Sequence, residues 1–485
     1  MHKSNRYLHY FIIALTGILI FLPGMFSFFN SDDFVWLRNS QKISFGSVSH
    51  FAVNYNPILK FRPFTHLLFQ FLYAIFQLNP LSYHIASLFL HIINALIFYT
   101  LLYKFTSESK LSLFASLIFV THFAQEESLF WISALSSPLV TFFYLSSIWS
   151  LWKYLEKQRI GLYLLSFLLS VLAILSKEDG TTIFLAVFFL VLLRSSGEFS
   201  VRIRKGIVLS IPFLLLTGVY AVIRYMTVPP DIMSKFLTHN PVVIIKNICY
   251  FGISLLFPVR PFFDLIGFKV HAYLNNTIQV KFNNPWFILV VTLICSAFVF
   301  LVLYFLRKKI RAFSLGLGLL VVGILPYLLV NGNGQRFLYF PSLGFSLALA
   351  GLLIYLFERI KKVKLLNMTM VLFLIFNGAV LFERSVWWRK AGEVCREVIA
   401  GAGKIVMSAP ENSDVYFVDL PRRINGAYIF HVGLEQALSL FYPQAKARAY
   451  DFAQLTDEEV LALKSHYAGS FYTWKGKGFE KVYPK

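Results

Sequence analysis

Apolar runs long enough to cross a bilayer recur along this chain, with short basic clusters between them, and few architectures accept such a pattern. A helix needs about 20 apolar residues to cross the hydrocarbon slab, and inside it every backbone polar group must be satisfied within the segment. Hydrophobic residues make up 57% of the 485 positions and charged residues only 14%, against roughly 25% charged in a soluble domain. The chain is therefore expected to be an α-helical polytopic membrane protein.

The formal net charge of +21 falls largely in five clusters: Lys3/Arg6, Lys153/Lys157/Arg159, Arg202/Arg204/Lys205, Arg307/Lys308/Lys309/Arg311 and Lys361/Lys362/Lys364. Short basic loops mark the cytoplasmic side of a membrane protein, so topology accounts for them and no nucleic-acid partner is implied. The first run, 8–29, lacks a small-residue cleavage site and is expected to stay as an anchor with the N-terminus inside. An external loop, 31–82, follows, in which the short apolar stretch Phe64–Phe76 is expected to lie at the interface. Further spans are expected at 83–103, 111–126, 133–152, 160–176, 180–194, 206–226, 286–306, 312–330, 338–357 and 365–382. Residues 242–258 carry Lys246, Asn247 and Gly252, and counting them as a crossing would place the 307–311 cluster outside. They are expected instead to dip into the membrane from a second external loop, 227–285. About eleven transmembrane helices result, and the odd number leaves the C-terminus outside. Cys249, Cys295 and Cys395 are too far apart in sequence to suggest a disulfide framework or thiolate metal site.

Composition changes after Trp387-Trp388. The membrane module is therefore expected to cover 1–390, and a small extracytoplasmic α/β domain 391–485. Within that domain, Val415–Val418 has strand character, Ala427–Phe441 helical character, and Thr456 with Glu459 forms a capping box. The segment 471–478 is expected to form a hairpin.

With this topology, polar residues at the outer ends of spans fall on one face of the membrane: Asp32 and Asp33, Arg62 and His66, His84, His122, Glu126, Glu127 and Trp131, Lys177 and Glu178, and Arg336. An adjacent carboxylate pair beside hydrocarbon is costly in repulsion and lost hydration, which favours a functional role. Each residue also has a plainer reading. Aspartates cap helices, Arg62, Lys177 and Arg336 are placed where cations snorkel, and interfacial histidines commonly hold backbone. A gathering of both charge signs, however, is what a site needs to bind an anionic leaving group and take a proton from an acceptor.

Several of these residues lie in ordered motifs: Ser31-Asp32-Asp33-Phe34, Arg62-Pro63-Phe64-Thr65, Leu78-Asn79-Pro80 with Tyr83-His84, then His91 and Asn94. Next come His122 through Glu126-Glu127 to Trp131-Ile132-Ser133, then Leu175-Ser176-Lys177-Glu178, and Arg336-Phe337-Leu338-Tyr339-Phe340-Pro341-Ser342. In this order, over roughly residues 8–355, the chain resembles the GT-C glycosyltransferases, nearest the branch related to TPR-containing protein O-mannosyltransferases. It departs from that branch in having the α/β segment where a TPR array would stand.

The resemblance implies a hexosyltransferase that moves a sugar from a polyprenyl-phosphate carrier to a protein or glycolipid acceptor at the outer face of the membrane. It implies Asp32 as base with Asp33 as its orienting partner. Arg62, Lys177 and Arg336 are the candidates for the donor phosphate, with inversion at the sugar carbon. No cofactor is required by this reading, although Asp32, Asp33 and Glu126 offer oxygens to a divalent cation such as Mg or Mn. The expected location is a bacterial cytoplasmic membrane. Two alternatives come from other classes. A transporter or flippase for lipid-linked saccharides would place charges near the midplane of spans. An O-antigen ligase or polymerase would gather its cations in a late external loop, where His239, Arg260 and His271 stand.

Overall fold

The computed structural model describes residues 3–42, 61–229, 237–238, 240–258, 311–332, 334–451 and 469–482. The expected span 286–306, the 307–310 cluster, most of the loop 227–285 with His239, Arg260 and His271, and the Thr456–Glu459 capping box lie outside them.

The described chain is mostly helical. Helix α1 (Lys3–Phe21) is followed by α2 (Asp33–Lys42), α3 (Pro63–Phe76), α4 (Pro80–Thr106), α5 (Ser109–Thr121), α6 (Glu126–Phe130), α7 (Ser136–Lys157) and α8 (Ile160–Ser176). Then come α9 (Ile183–Arg194), α10 (Phe199–Thr227), α11 (Pro241–Leu256), α12 (Arg311–Leu328), α13 (Pro341–Arg359) and α14 (Val363–Ser408). Six segments of described helix are long and apolar enough to cross a membrane, and α3, α5, α8, α11 and α12 are shorter apolar helices. The protein is an integral, multi-pass membrane protein.

Helices pair as antiparallel hairpins. In the crossing of α12 and α13, a Cβ added at Gly344 would stand 2.3 Å from the Leu320 nitrogen, and one at Gly316 would stand 2.5 Å from the Ala348 nitrogen. Two backbones this close exclude any side chain between them. Small residues serve this purpose where no water drives helices together.

Two expectations about spans need correction. The run 111–126 is not one helix, because α5 stops at Thr121 and His122 is extended, with φ −65° and ψ 130°. The His122 Nδ1 then accepts from the Ala124 N–H at 3.1 Å, opening a single turn, and Glu126 begins a separate short helix. The last span does not end near 382 either. Helix α14 runs on through Trp387-Trp388 and the compositional change at 391, and stops at Ser408, where Pro410 holds Ala409 extended.

Beyond α14 lies a small α/β unit with strands β1 (Asp414–Val418), β2 (Arg423–Ile424), β3 (Ala427–Tyr428), β4 (Arg448–Asp451), β5 (Gly469–Trp474) and β6 (Phe479–Val482), and helix α15 (Leu434–Phe441). The four-stranded sheet has the order β4-β1-β5-β6, with β1 parallel to both neighbours and β6 antiparallel to β5. Its register places Tyr416 opposite Tyr450 and Phe471, and the rings stack at 5.2 and 4.8 Å. The strand at 415–418 and the C-terminal hairpin match the sequence expectation. The single helix expected over Ala427–Phe441 does not: its first residues pair with β2, and Gly433, at φ +100°, breaks the chain before α15. In that left-handed conformation a Cβ would meet the Ser31 carbonyl oxygen at 2.5 Å, so glycine is required twice over.

A candidate active site at the outer helix ends

The aspartate doublet sits in the turn between α1 and α2. Ser31, at φ +50°, adopts a strained left-handed conformation for a residue with a side chain. It is held there by its N–H to the Ile429 carbonyl at 2.9 Å, while its hydroxyl accepts from His431 N–H at 3.1 Å. The turn gives its two carboxylates different surroundings. Asp33 is 1% exposed and accepts from the Asn30 N–H at 2.9 Å, the Ser133 N–H at 2.7 Å and the Ser133 hydroxyl. Burial pushes its pKa up to about 7 against the pull of those donors, and the neighbouring Asp32 adds to the rise. Asp32 is half-buried and accepts from the Ser31 hydroxyl at 3.2 Å. Asp33 thus ties the turn to Asn30 and to Ser133.

Of the expected cations, Arg336 lies in the field of Asp32, and Lys177 and Arg62 connect to it through the Arg336 carbonyl and Ser136-Ser137. Arg62 donates to Glu178 through Nη2 at 2.5 Å and Nε at 3.1 Å, and Arg224 donates to the other Glu178 oxygen at 2.6 Å. Two guanidiniums thus share one carboxylate. Lys177 donates to the Ser137 hydroxyl at 2.7 Å, pairs with Asp179 at 3.3 Å and lies over the Tyr327 ring. Burial lowers the Lys177 pKa, with Asp179 pulling the other way. The same ammonium reaches the Arg336 carbonyl at 3.4 Å, and Arg62 reaches Ser136, beside Ser137. Arg336 in turn pairs with the buried Glu127 at 3.4 Å and covers the Trp131 ring at 5.2 Å. Against burial, which lowers it, Glu127, Tyr428 and Asp32 hold the Arg336 pKa above its ordinary value.

Helices α7 and α8 explain the convergence. Helix α7 leaves the site at Ser136 and reaches its far end at Lys157, and α8 returns to deliver Lys177 and Glu178. Helices α13 and α14 repeat the excursion, leaving from Arg336–Phe340 and returning to Arg384.

Other expected residues serve the surrounding frame. Glu126 accepts from the fully buried Arg384 at 2.5 Å, and Arg384 also donates to the Asn425 carbonyl at 2.6 Å. His122 lies against the Leu255 carbonyl at 3.0 Å and accepts from Ala124 N–H, His84 meets the Ser27 carbonyl at 3.2 Å, and His66 packs on the Trp36 ring at 4.5 Å. With Asp33 and Glu126 so engaged, Asp32, Asp33 and Glu126 do not gather as a cation site. Among the described residues no group of three His, Cys, Asp or Glu is arranged to hold a metal. Sequence reasoning missed Arg224, Arg384 and Tyr428. Arg384, in the Glu383-Arg384 pair within the apolar run of α14, carried a signal, since a charge there needs a partner.

No family model matches the chain. In sequence it is 24% identical over 342 residues to a protein O-mannosyl-transferase, F38B6.6, of Caenorhabditis elegans. The match takes in 68% of this chain and 47% of that protein, so the chain spans about half the relative's length. Among solved structures, ArnT from Cupriavidus metallidurans bound to undecaprenyl phosphate overlays with a TM-score of 0.42 and 12% identity, covering 98% of this chain and 94% of that one. The oligosaccharyltransferase AglB from Archaeoglobus fulgidus, in complex with an inhibitory peptide and a dolichol-phosphate, overlays with a TM-score of 0.46 and 10% identity, covering 97% and 69%. The chain is thus similar in sequence to a protein O-mannosyl-transferase, in keeping with its resemblance to the GT-C glycosyltransferases.

Proposed function

We propose that the protein transfers a hexose from a polyprenyl-phosphate carrier to a hydroxyl of a protein or glycolipid acceptor, at the extracytoplasmic face of a bacterial cytoplasmic membrane. One observation carries this reading: a half-buried carboxylate, Asp32, shares a cluster with Arg336, Lys177, Arg62 and Arg224 at the ends of the helices. That cluster offers a proton acceptor and an anion site within one rim.

In the reaction, the acceptor oxygen forms a bond to the anomeric carbon as the bond from that carbon to the phosphate oxygen breaks. The acceptor proton passes to Asp32, and the carrier phosphate departs with the bonding electron pair. Single displacement inverts the anomeric centre. Negative charge grows on the phosphate, so fixed cations lower the barrier without reorganising. Arg62 and Arg224, which share Glu178, are suited to that role, together with Lys177 and Arg336. Asp33 orients its neighbour by anchoring the turn to Ser133. No step is routed through a metal ion.

The test is to incubate purified protein with polyprenyl-phosphate hexose and an envelope extract from cells lacking it. Release of polyprenyl phosphate together with a hexose-sized mass gain in the extract supports the reading. A carrier left intact across mannose, glucose and galactose donors sinks it.

A further inference from the structure

The α/β unit does more than follow the membrane module, because its short β2–β3 ribbon reaches the site. Tyr428 on β3 is buried and stacks on Trp131, with ring centroids 4.4 Å apart and an interplanar angle of 23°. Its hydroxyl accepts from Arg336 at 3.4 Å and from Arg423, on β2, at 2.9 Å. Arg423 lies over one face of the Tyr428 ring at 4.2 Å, and Arg336 lies over Trp131 at 5.2 Å. The two guanidiniums thus meet at one phenol oxygen, and each also lies over an aromatic ring. The ribbon is tied down independently, since Arg384 of α14 donates to the Asn425 carbonyl in its turn while pairing with Glu126.

We infer that Tyr428 is a positioning residue that acts through Arg336, so that the C-terminal α/β unit completes the active site. One guanidinium nitrogen of Arg336, Nη1, donates to both Glu127 and the Tyr428 hydroxyl, each at 3.4 Å. Its place beside Asp32 and Trp131 is thus set by residues 301 positions apart in sequence (127 and 428). A guanidinium whose Nη1 is shared by a carboxylate and a phenol needs less reorganisation when phosphate charge develops, and loss of the phenol costs rate more than carrier binding. The catalytic consequence rests on the glycosyl-transfer reading, whereas the clamp on Arg336 does not.

Tyr428→Phe keeps the ring stack and removes the hydroxyl, so it separates the clamp from simple packing. Two measurements on the purified full chain decide the matter. The first is modification of Arg336 by phenylglyoxal, followed by mass spectrometry, with Arg224 as internal reference. Faster labelling of Arg336 with Arg224 unchanged is expected, and equal labelling in both proteins overturns the inference. The second is steady-state transfer, where kcat is expected to fall about tenfold while KM for the carrier stays within about twofold. A loss of activity that merely tracks a loss of folded protein also overturns it. A wild-type chain that transfers no sugar defeats the glycosyl-transfer reading alone, and the labelling still decides the clamp.

Discussion

Of the two adjacent carboxylates, Asp32 is the half-buried one that lies in the field of Arg336, and it is therefore the one proposed as base. Asp33 is enclosed by Ser133 and Asn30. Asp32→Asn is expected to lower transfer by about 10²–10⁴-fold, the usual worth of a general base, in protein whose thermal unfolding is unchanged. Retained activity rules Asp32 out. Asp33→Asn is expected to act on stability, and with a pH signature. The folded pKa is about 7 and the ordinary value 3.8, so the folded state holds a proton that the unfolded chain releases between them. The contribution of Asp33 to stability is thus greatest below the ordinary value, is lost as pH rises to the folded value, and is flat above it. Unfolding of wild type and Asp33→Asn across this range checks the sign, and a difference that grows with pH contradicts it. The charged doublet and the later cations were legible because charge at a span end is expensive. The ranking of Asp32 over Asp33 was not, since it depends on Ser133, a contact made 100 positions away.

At the scale of elements, hydropathy located most helices but not their interruptions. Thr121 and Glu126 lie in one apolar run, and it took His122 bonding its own backbone to show that a turn separates them. Helix α14 erred in the opposite direction, since a compositional change without a helix stop leaves the helix running until a proline ends it. Close packing of α12 on α13 yields a stability prediction. Gly344→Ala and Gly344→Leu are expected to be increasingly destabilising, by about 1–3 kcal/mol or more for leucine, because backbone atoms cannot yield as a side chain would. Gly318→Ala, in α12 where no described atom lies within 4 Å of the added carbon, is the control and should not lower stability. Equal behaviour of the two sites in detergent melts would refute the crossing.

For the whole molecule, the excursions of α7 with α8 and of α13 with α14 place the Lys157–Arg159 and Lys361–Lys362 turns at the ends remote from the site. With the site outward, as proposed, the bias of basic residues is expected to keep those turns cytoplasmic. A cysteine replacing Lys361 is expected to react with an impermeant maleimide only after the membrane is opened, and a C-terminal tag is expected to react in intact cells. The reverse pattern would invert the orientation. The α/β unit was legible as a compositional change, but its part in the site was not, since Ile429 meeting Ser31 and Tyr428 meeting Arg336 are tertiary contacts that no local pattern encodes.

Helix α14 spans 46 residues without a break, about 69 Å at 1.5 Å per residue, and joins hydrocarbon to the ribbon that bears Tyr428. Such a shaft transmits its tilt. In a thinner bilayer the apolar part of the shaft leans to hide its excess length, and the lean swings the far end, and with it the phenol that grips Arg336. Turnover in nanodiscs of graded acyl-chain length should therefore peak at one thickness and decline on both sides, whereas a flat response would show the shaft uncoupled from the chemistry.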